Sequence, residues 1–286
     1  GEVIVAPGEG SKTLAGAEHV LRSLAQQGMG RDDHVVALGG GVIGDLAGFC
    51  AATYQRGVGV VQVPTSLVAQ VDSAYGGKTG VDLPEAKNYV GAYHQPRAVL
   101  VDPATLLTLP REELAAGYAE VVKTALIAGG QLWQRVQDGA AGAAQPDVIL
   151  ACARTKLAVV AEDERDDGRR QVLNLGHTVG HAIETVTAYG RYRHGEAVAL
   201  GLLAALRLSG QDELRAQVSE LFAAHGLAIT MTDVDPEAVA LATERDKKRR
   251  GEGPVPYVLV RAPGDVVAGE PVAHADLLAA VRELAA

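Results

Sequence analysis

His34-Val35-Val36-Ala37-Leu38-Gly39-Gly40-Gly41-Val42-Ile43-Gly44-Asp45 is the stretch on which the fold turns. Its first five residues form a run of strand length, mostly apolar, and three glycines stop it. Helical spacing begins at Asp45 and lasts to Tyr54, and Gly59 to Val63 is a second apolar run, stopped by Pro64. Strand, turn, helix and strand in this order indicate a parallel sheet with crossover helices. The flanks extend the pattern. Val3-Ile4-Val5 reads as a short strand, Thr13 to Gln27 as a helix, and Val99-Leu100-Val101 as a strand ended by Asp102-Pro103.

The glycine turn fits G-x-G-x-x-G between a strand and a helix. Glycines there let the backbone approach a pyrophosphate, and the helix N-terminus favours its charge. The acidic residue expected about 20 positions on is absent, because that distance falls within Gly59 to Pro64. The turn is therefore not an ordinary dinucleotide fingerprint, though a nucleotide remains a better reading than a turn without a ligand.

After Pro110 the period changes. Arg111 to Ala128, Pro146 to Glu162, Thr178 to Val186, Glu196 to Leu208, Asp212 to His225 and Asp276 to Ala285 all carry helical spacing. Only Val255 to Val260 reads as a strand. The expectation is an α/β protein. A doubly wound parallel-sheet nucleotide-binding domain over residues 1–107 precedes a mostly α-helical metal- and substrate-binding domain over 108–286.

Composition narrows the function. The 286 residues carry 26 basic and 35 acidic groups, a net charge of −9. That balance argues against nucleic acid or a membrane surface as partner, since both are polyanions. A small anionic substrate needs only a local basic pocket. Glycine is abundant at 34 residues and aromatics are scarce at 4%, which suits tight turns and close backbone approaches. Two cysteines, Cys50 and Cys152, are too few for a disulfide framework and suggest a reducing compartment. The longest uncharged apolar run, Ala197 to Leu206, is far below membrane-spanning length. Gly1 to Val5 lacks the basic start of a secretory signal, so a cytoplasmic location is expected.

Four further stretches could carry chemistry. Asp72-Ser73-Ala74-Tyr75-Gly76-Gly77-Lys78-Thr79, with Lys87-Asn88, follows the second strand and lies near the carboxyl edge of the sheet, where such folds bind ligands. Two lysines and an amide suit phosphate or hydroxyl groups; a solvated loop is the plainer reading. Glu120 and Lys123 share a helix face amid apolar neighbours, as an ion pair or as a metal ligand with a companion. His177, His181 and His194 lie within 18 residues, and with Glu120 they form a plausible catalytic zinc set. Spacing alone leaves open which histidines bind, although an i, i+4 pair invites both His177 and His181. Asp246 to Arg250, like Arg169-Arg170, is either a solvated charge run or an anion patch.

These motifs, in this order, resemble the 3-dehydroquinate synthase family of sugar-phosphate cyclases. The residues that carry the resemblance are GGGVIGDLAGFCAATYQRG (39–57), VPTSLVAQVDSAYGGKTGVDLPEAKNYVGAYHQP (63–96), AEVVKTALI (119–127), NLGHTVGHAIE (174–184), HGEAVALGL (194–202) and RDKK (245–248). The resemblance implies Glu120, His177 and His194 as ligands of one divalent metal, zinc or cobalt, and places His181 beside the substrate phosphate. It implies that Asp72, Lys78, Asn88, Lys123, Lys156, Arg170, Asn174 and either Lys247 or Lys248 hold an anionic sugar phosphate. Arg56 would reach the phosphate across a homodimer interface. NAD would meet Glu9, Lys12, Gly39, Gly40, Gly41, Val42, Gly44, Asp45, Thr65, Ser66, Asp72, Lys78 and Lys87. Gly76-Gly77-Lys78 and His181 match the primary-metabolism pattern rather than that of natural-product cyclases.

The implied reaction converts 3-deoxy-D-arabino-heptulosonate 7-phosphate to 3-dehydroquinate and phosphate. It runs through transient oxidation, phosphate elimination, reduction, ring opening and aldol closure, with NAD regenerated at each turnover. Other readings differ in outcome: another sugar-phosphate cyclase or a metal-dependent polyol dehydrogenase of similar architecture would show net NADH production, and an inactive homologue would bind substrate without turnover. The family also begins with a strand–helix–strand unit ahead of the segment matching Val3 to Lys12. The expectation is either a fragment or a chain with an exposed sheet edge and a weakened NAD site.

Overall fold

A computed structural model describes residues 1–138, 144–244 and 256–285. The chain divides into two compact units, Gly1–Leu109 and Pro110–Ala286.

The first unit contains α1 (Leu14–Gln26), β1 (His34–Gly39), α2 (Gly41–Thr53), β2 (Gly59–Pro64), β3 (Lys78–Leu83), β4 (Ala86–Tyr93) and β5 (Ala98–Val99). Strands β1, β2 and β5 form a parallel sheet in that order. Val35 lies opposite Val60, and Gly39 opposite Pro64. This register brings the ends of both strands level, so the glycine turn after β1 and Thr65-Ser66 after β2 emerge at one edge. The Thr65 N–H donates to the Gly39 carbonyl at 2.9 Å, tying the two exits together. Ala17 and Val20 of α1 pack with Leu46, Phe49 and Cys50 of α2 and Val81 of β3.

Three local expectations change. Val3-Ile4-Val5 is not a strand. Val3 and Val5 pack on the α1–α2 core while Ile4 is exposed, but no ladder partner is present among the described residues. Helix α2 starts at Gly41, four residues before Asp45, because Gly40 takes the extended cap conformation and the turn itself winds into the helix. The stretch after β2 is not an open loop. It is a π-helical turn, Ala69–Ser73, followed by the antiparallel hairpin β3–β4. Lys78, Asp82, Lys87 and Asn88 hide that hairpin in the sequence. Its strands are held close by the Gly80–Gly91 pair rather than by apolar alternation. A Cβ on Gly91 would stand 2.3 Å from the Thr79 carbonyl oxygen.

The second unit is mostly helical: α3 (Arg111–Ala128), α4 (Gly130–Gln137), α5 (Pro146–Glu162), α6 (His177–Val186), α7 (His194–Leu208), α8 (Asp212–Ala224), α9 (Pro236–Thr243) and α10 (His274–Arg282). One hairpin, β6 (Pro256–Ala262) with β7 (Asp265–Pro271), completes it. Helices α4 and α9 and strand β7 are additions to the elements expected from periodicity. Helix α7 is the centre of the unit; Leu200, Leu202 and Leu206 are fully buried. Among the described residues no helix is long and apolar enough to cross a membrane. Cys50 and Cys152 are free and buried, and burial pushes the Cys50 thiol up to about 12.

Candidate active site

Helices α3, α6 and α7 bring four ionisable side chains together because glycines let their backbones approach. A Cβ on Gly195, the second residue of α7, would lie 1.9 Å from the Ala116 carbonyl oxygen of α3. A Cβ on Gly201 would lie 1.9 Å from the carbonyl oxygen of Gly176, just before α6. Neither position has room for a side chain. The glycines within the two histidine motifs are thus packing devices that set the distances between the histidines and Glu120.

Glu120, mid-way along α3, is fully buried. Its two carboxylate oxygens have different company. Lys123, itself buried, pairs with Oε2. Oε1 lies 3.6 Å from His177 Nε2 and 3.5 Å from His194 Nε2, and it has no hydrogen-bond partner. Such separations are too long for good hydrogen bonds. They suit ligands of one ion: donors about 2.1 Å from a tetrahedral metal stand about 3.4 Å apart. Ion pair and metal ligand, alternatives for Glu120 in the sequence, therefore coexist on one carboxylate.

The other ring nitrogens are already engaged. His177 Nδ1 is 3.1 Å from the Leu175 carbonyl, so it carries the proton and leaves Nε2 with its lone pair. His194 Nδ1 is 3.2 Å from Glu184 Oε2, so in the neutral ring the proton sits on Nδ1 and Nε2 is the free lone-pair donor. Burial alone would push the Glu120 carboxyl up; Lys123 and His194 outweigh it and hold the group at about 2. Burial would push the His194 ring down, but Glu120 and Glu184 raise it to about 10. Both shifts report one fact: the surrounding carboxylates favour positive charge at this point. A divalent cation supplies that charge while leaving the histidines neutral, and the donor set fits zinc or cobalt.

His181 lies one turn along α6 from His177, with ring centroids 5.3 Å apart, and 5.9 Å from the His194 ring. Its nitrogen groups with Glu184 and His194, whereas Glu120 groups with His177 and His194. The i, i+4 pair His177 and His181 thus does not converge on Glu120. Lys156 on α5 and Arg170 are buried in the same unit. Arg170 follows a loop organised by Asp163, whose carboxylate accepts from the N–H groups of Asp167, Gly168 and Arg170. The neighbouring Arg169 pairs with Glu162 at 3.0 Å, which separates the two arginines into a surface and a buried role. Asn174 donates from Nδ2 to the Gln171 carbonyl. Lys247 and Lys248 lie outside the described residues.

In the first unit, α2 begins at the glycine turn with no side-chain cap at Gly40. Its first-turn N–H groups suit a pyrophosphate. Ser66 stands beside this turn: a Cβ on Gly40 would be 3.2 Å from its hydroxyl oxygen. At the far end of the turn, Asp45 pairs with buried Lys12 at 3.2 Å; Lys12 also meets Glu9 at 2.5 Å and Asp82 at 3.8 Å. Lys87 is close enough to help lower the Glu9 carboxyl, whose shift combines upward pressure from burial with stronger stabilisation by Lys12. Asp82 takes the Asn88 N–H at 2.6 Å, and Asn88 has positive φ. Asp72 lies on the π-helical turn and is half-buried, while Lys78 opens β3 and is exposed. Arg56 is exposed at the turn that follows α2, with φ of 71°.

The family model for the 3-dehydroquinate synthase N-terminal domain matches residues 2–116, and that for the C-terminal domain matches residues 117–249. The chain belongs to the 3-dehydroquinate synthase family. A 3-dehydroquinate synthase of Caulobacter vibrioides is 44% identical over 300 residues, covering 98% of this chain and 80% of the relative. Among solved structures, a 2-epi-5-epi-valiolone synthase from Streptomyces hygroscopicus subsp. jinggangensis 5008, with NAD+ and Zn2+ bound, superimposes with a TM-score of 0.89 at 27% identity. The match covers 98% of this chain and 81% of that one. A 2-deoxy-scyllo-inosose synthase complexed with carbaglucose-6-phosphate, NAD+ and Co2+ gives a TM-score of 0.85 at 28% identity, covering 97% and 81%.

Two residues of the 3-dehydroquinate synthase family segments were not singled out by sequence. Glu184 sits seven positions after His177 and three after His181, a helical spacing that places it on their face. Asp82 gives no comparable signal; only the bridge between Thr13 and Asp82 brings it to Lys12.

Proposed function

We propose that this protein acts as a 3-dehydroquinate synthase, an NAD- and metal-dependent cyclase that eliminates phosphate from 3-deoxy-D-arabino-heptulosonate 7-phosphate. The observation that carries the reading is the convergence of Glu120 Oε1 with the Nε2 atoms of His177 and His194. Identity favours this member of the superfamily: 44% to a named 3-dehydroquinate synthase against 27% and 28% to cyclases of other products.

Glu120, His177 and His194 hold the metal, which when bound polarises a substrate oxygen and makes the adjacent C–H more acidic. The turn from Gly39 to Asp45, with Thr65 and Ser66, receives the NAD pyrophosphate, and Glu9, Lys12 and Lys87 serve the same cofactor. NAD supplies a reversible hydride acceptor for one alcohol. Lys123 keeps Glu120 ionised and stands ready for a substrate hydroxyl. Arg170 and Lys156 bring positive charge to an anionic substrate in an acidic chain, and Asn174 adds an amide. Asp72, Lys78 and Asn88, with Lys247 or Lys248, complete the proposed substrate-holding set. His181, outside the ligand set, holds the leaving phosphate. Residues 1–107 form the cofactor domain and 108–286 the metal and substrate domain. The enzyme works in the cytoplasm as a homodimer, with Arg56 of each subunit serving its neighbour's phosphate site.

The decisive experiment is phosphate release from the heptulosonate phosphate, with NAD and zinc each supplied or withheld. Release that needs both, with no net NADH, is the expected result. Accumulating NADH points to a dehydrogenase, and binding without release to an inactive homologue. Mixing an Arg56→Ala chain with a Lys123→Met chain tests the shared site: partial recovery of activity supports it, and none in confirmed heterodimers opposes it.

A further inference from the structure

Glu184 is a fully buried carboxylate in a helix whose other buried residues are His177, Thr178 and small or apolar side chains. Unpaired, it would be costly. Its Oε2 accepts from His194 Nδ1 at 3.2 Å, and the opposite nitrogen of that ring faces Glu120 Oε1. Carboxylate, imidazole and ligand point therefore lie in series across α6, α7 and α3. The two histidine ligands are not held alike. His177 is oriented by a neutral backbone carbonyl two residues away on its own segment. His194, the first residue of α7 and 38% exposed at its side chain, is oriented by a charge from another helix.

We propose that Glu184 is the positioning residue of the metal centre. It fixes His194 in the Nδ1-protonated tautomer, aims Nε2 at the ion and makes that nitrogen a stronger donor. It rests on the reading of Glu120, His177 and His194 as metal ligands. An alternative geometry exists, because His181, Glu184 and His194 can also face one another. In that arrangement Glu184 would be a ligand rather than a support.

The wild-type chain, Glu184→Gln, Glu184→Ala and His177→Ala should be compared by zinc competition with a chromophoric chelator. Absorption of the cobalt forms and histidine nitrogen NMR of the zinc forms complete the set. Wild type should bind one zinc, and His177→Ala should lose it. Glu184→Gln, which keeps the shape, should bind about tenfold more weakly, and Glu184→Ala up to about a hundredfold. Both should retain the four-coordinate cobalt spectrum, while the His194 Nδ1–H resonance moves. If the Ala variant fails to fold, the Gln variant decides. Unchanged zinc affinity in the Glu184 variants, alongside loss in His177→Ala, overturns the positioning role and leaves the ligand set standing. A cobalt spectrum showing a lost ligand in Glu184→Gln overturns it in favour of direct coordination. Zinc retained by His177→Ala refutes the ligand set itself.

Discussion

Lys12 is a buried cation held by Glu9, Asp45 and Asp82, whereas Glu120 is a buried anion held by Lys123 and facing two histidines. Both clusters use an i, i+3 acid–base pair, and both draw on several elements. They differ in what remains once the ion pairs are made. Around Lys12 the charges close on one another and lock the N-terminal segment, α2 and β3 together. Around Glu120 one oxygen is spent on Lys123, and the other joins two imidazole lone pairs at a common point. A closed cluster shapes the backbone beside the glycine turn. A cluster with converging lone pairs recruits an ion.

The sharpest way to break this comparison is to remove Lys12. Lys12→Met leaves three carboxylates around a neutral side chain and should cost about 3–5 kcal/mol. The pH dependence should also change. In the native chain the Glu9 carboxyl is held below its ordinary value. Its stabilisation is present above that ordinary value and is lost only as pH falls through it. Burial raises Asp82 and works in the opposite sense, so the native chain should show little slope between pH 7 and 5. In Lys12→Met, acid relieves repulsion, so stability should rise between pH 7 and 5. Urea midpoints across that interval for both chains measure the two slopes; parallel slopes would mean that the cluster is not electrostatically closed.

Next in size is His181→Ala. If His181 serves the phosphate rather than the metal, kcat should fall about a hundredfold while zinc stoichiometry stays at one. Metal analysis of the purified variant checks this, and loss of zinc would move His181 into the ligand set.

A smaller effect is expected at Gly195. A Cβ there meets the Ala116 carbonyl oxygen, backbone against backbone. Gly195→Ala should therefore destabilise by about 2 kcal/mol and weaken zinc binding as His194 moves from Glu120. Gly210, with open space around its Cβ position but φ of 65°, offers a control at which the strain is conformational and zinc affinity should hold. Thermal unfolding and zinc competition on both variants separate spacing from general loss of stability.

The parallel sheet was legible because β1 and β2 are both written as apolar runs with a hard stop at Gly39 or Pro64, even though Val36 and Leu38 of β1 are exposed and only β2 is buried at every second residue. The β3–β4 hairpin was not, since its register depends on paired glycines and its strands carry charged residues. Likewise, three histidines in 18 residues announced a metal, but the division of labour among them did not follow from spacing. His177 and His181 share a helix face, yet the point that His177 and Glu120 share with His194 is set by α7, which a local period cannot place. The family resemblance supplied that partition. Glu184 went unread because a glutamate in a helix is ordinarily a solvated one, and only its burial makes it unusual.

His177 and His194 are each the first residue of their helix. Helix ends are where native chains open first, at a cost well below global unfolding. Gly176, before α6, offers no side-chain cap, while Glu196 secures the start of α7 by accepting the Arg193 N–H. An ion gripping both first residues and mid-helix Glu120 would pin two fraying ends to a rigid shaft. Amide hydrogens in the opening turns of α6 and α7 should then exchange at a rate set by metal concentration, while those in the middle of α3 stay indifferent to it. Proton exchange at two helix starts would thus serve as a gauge of ion occupancy, readable without any substrate.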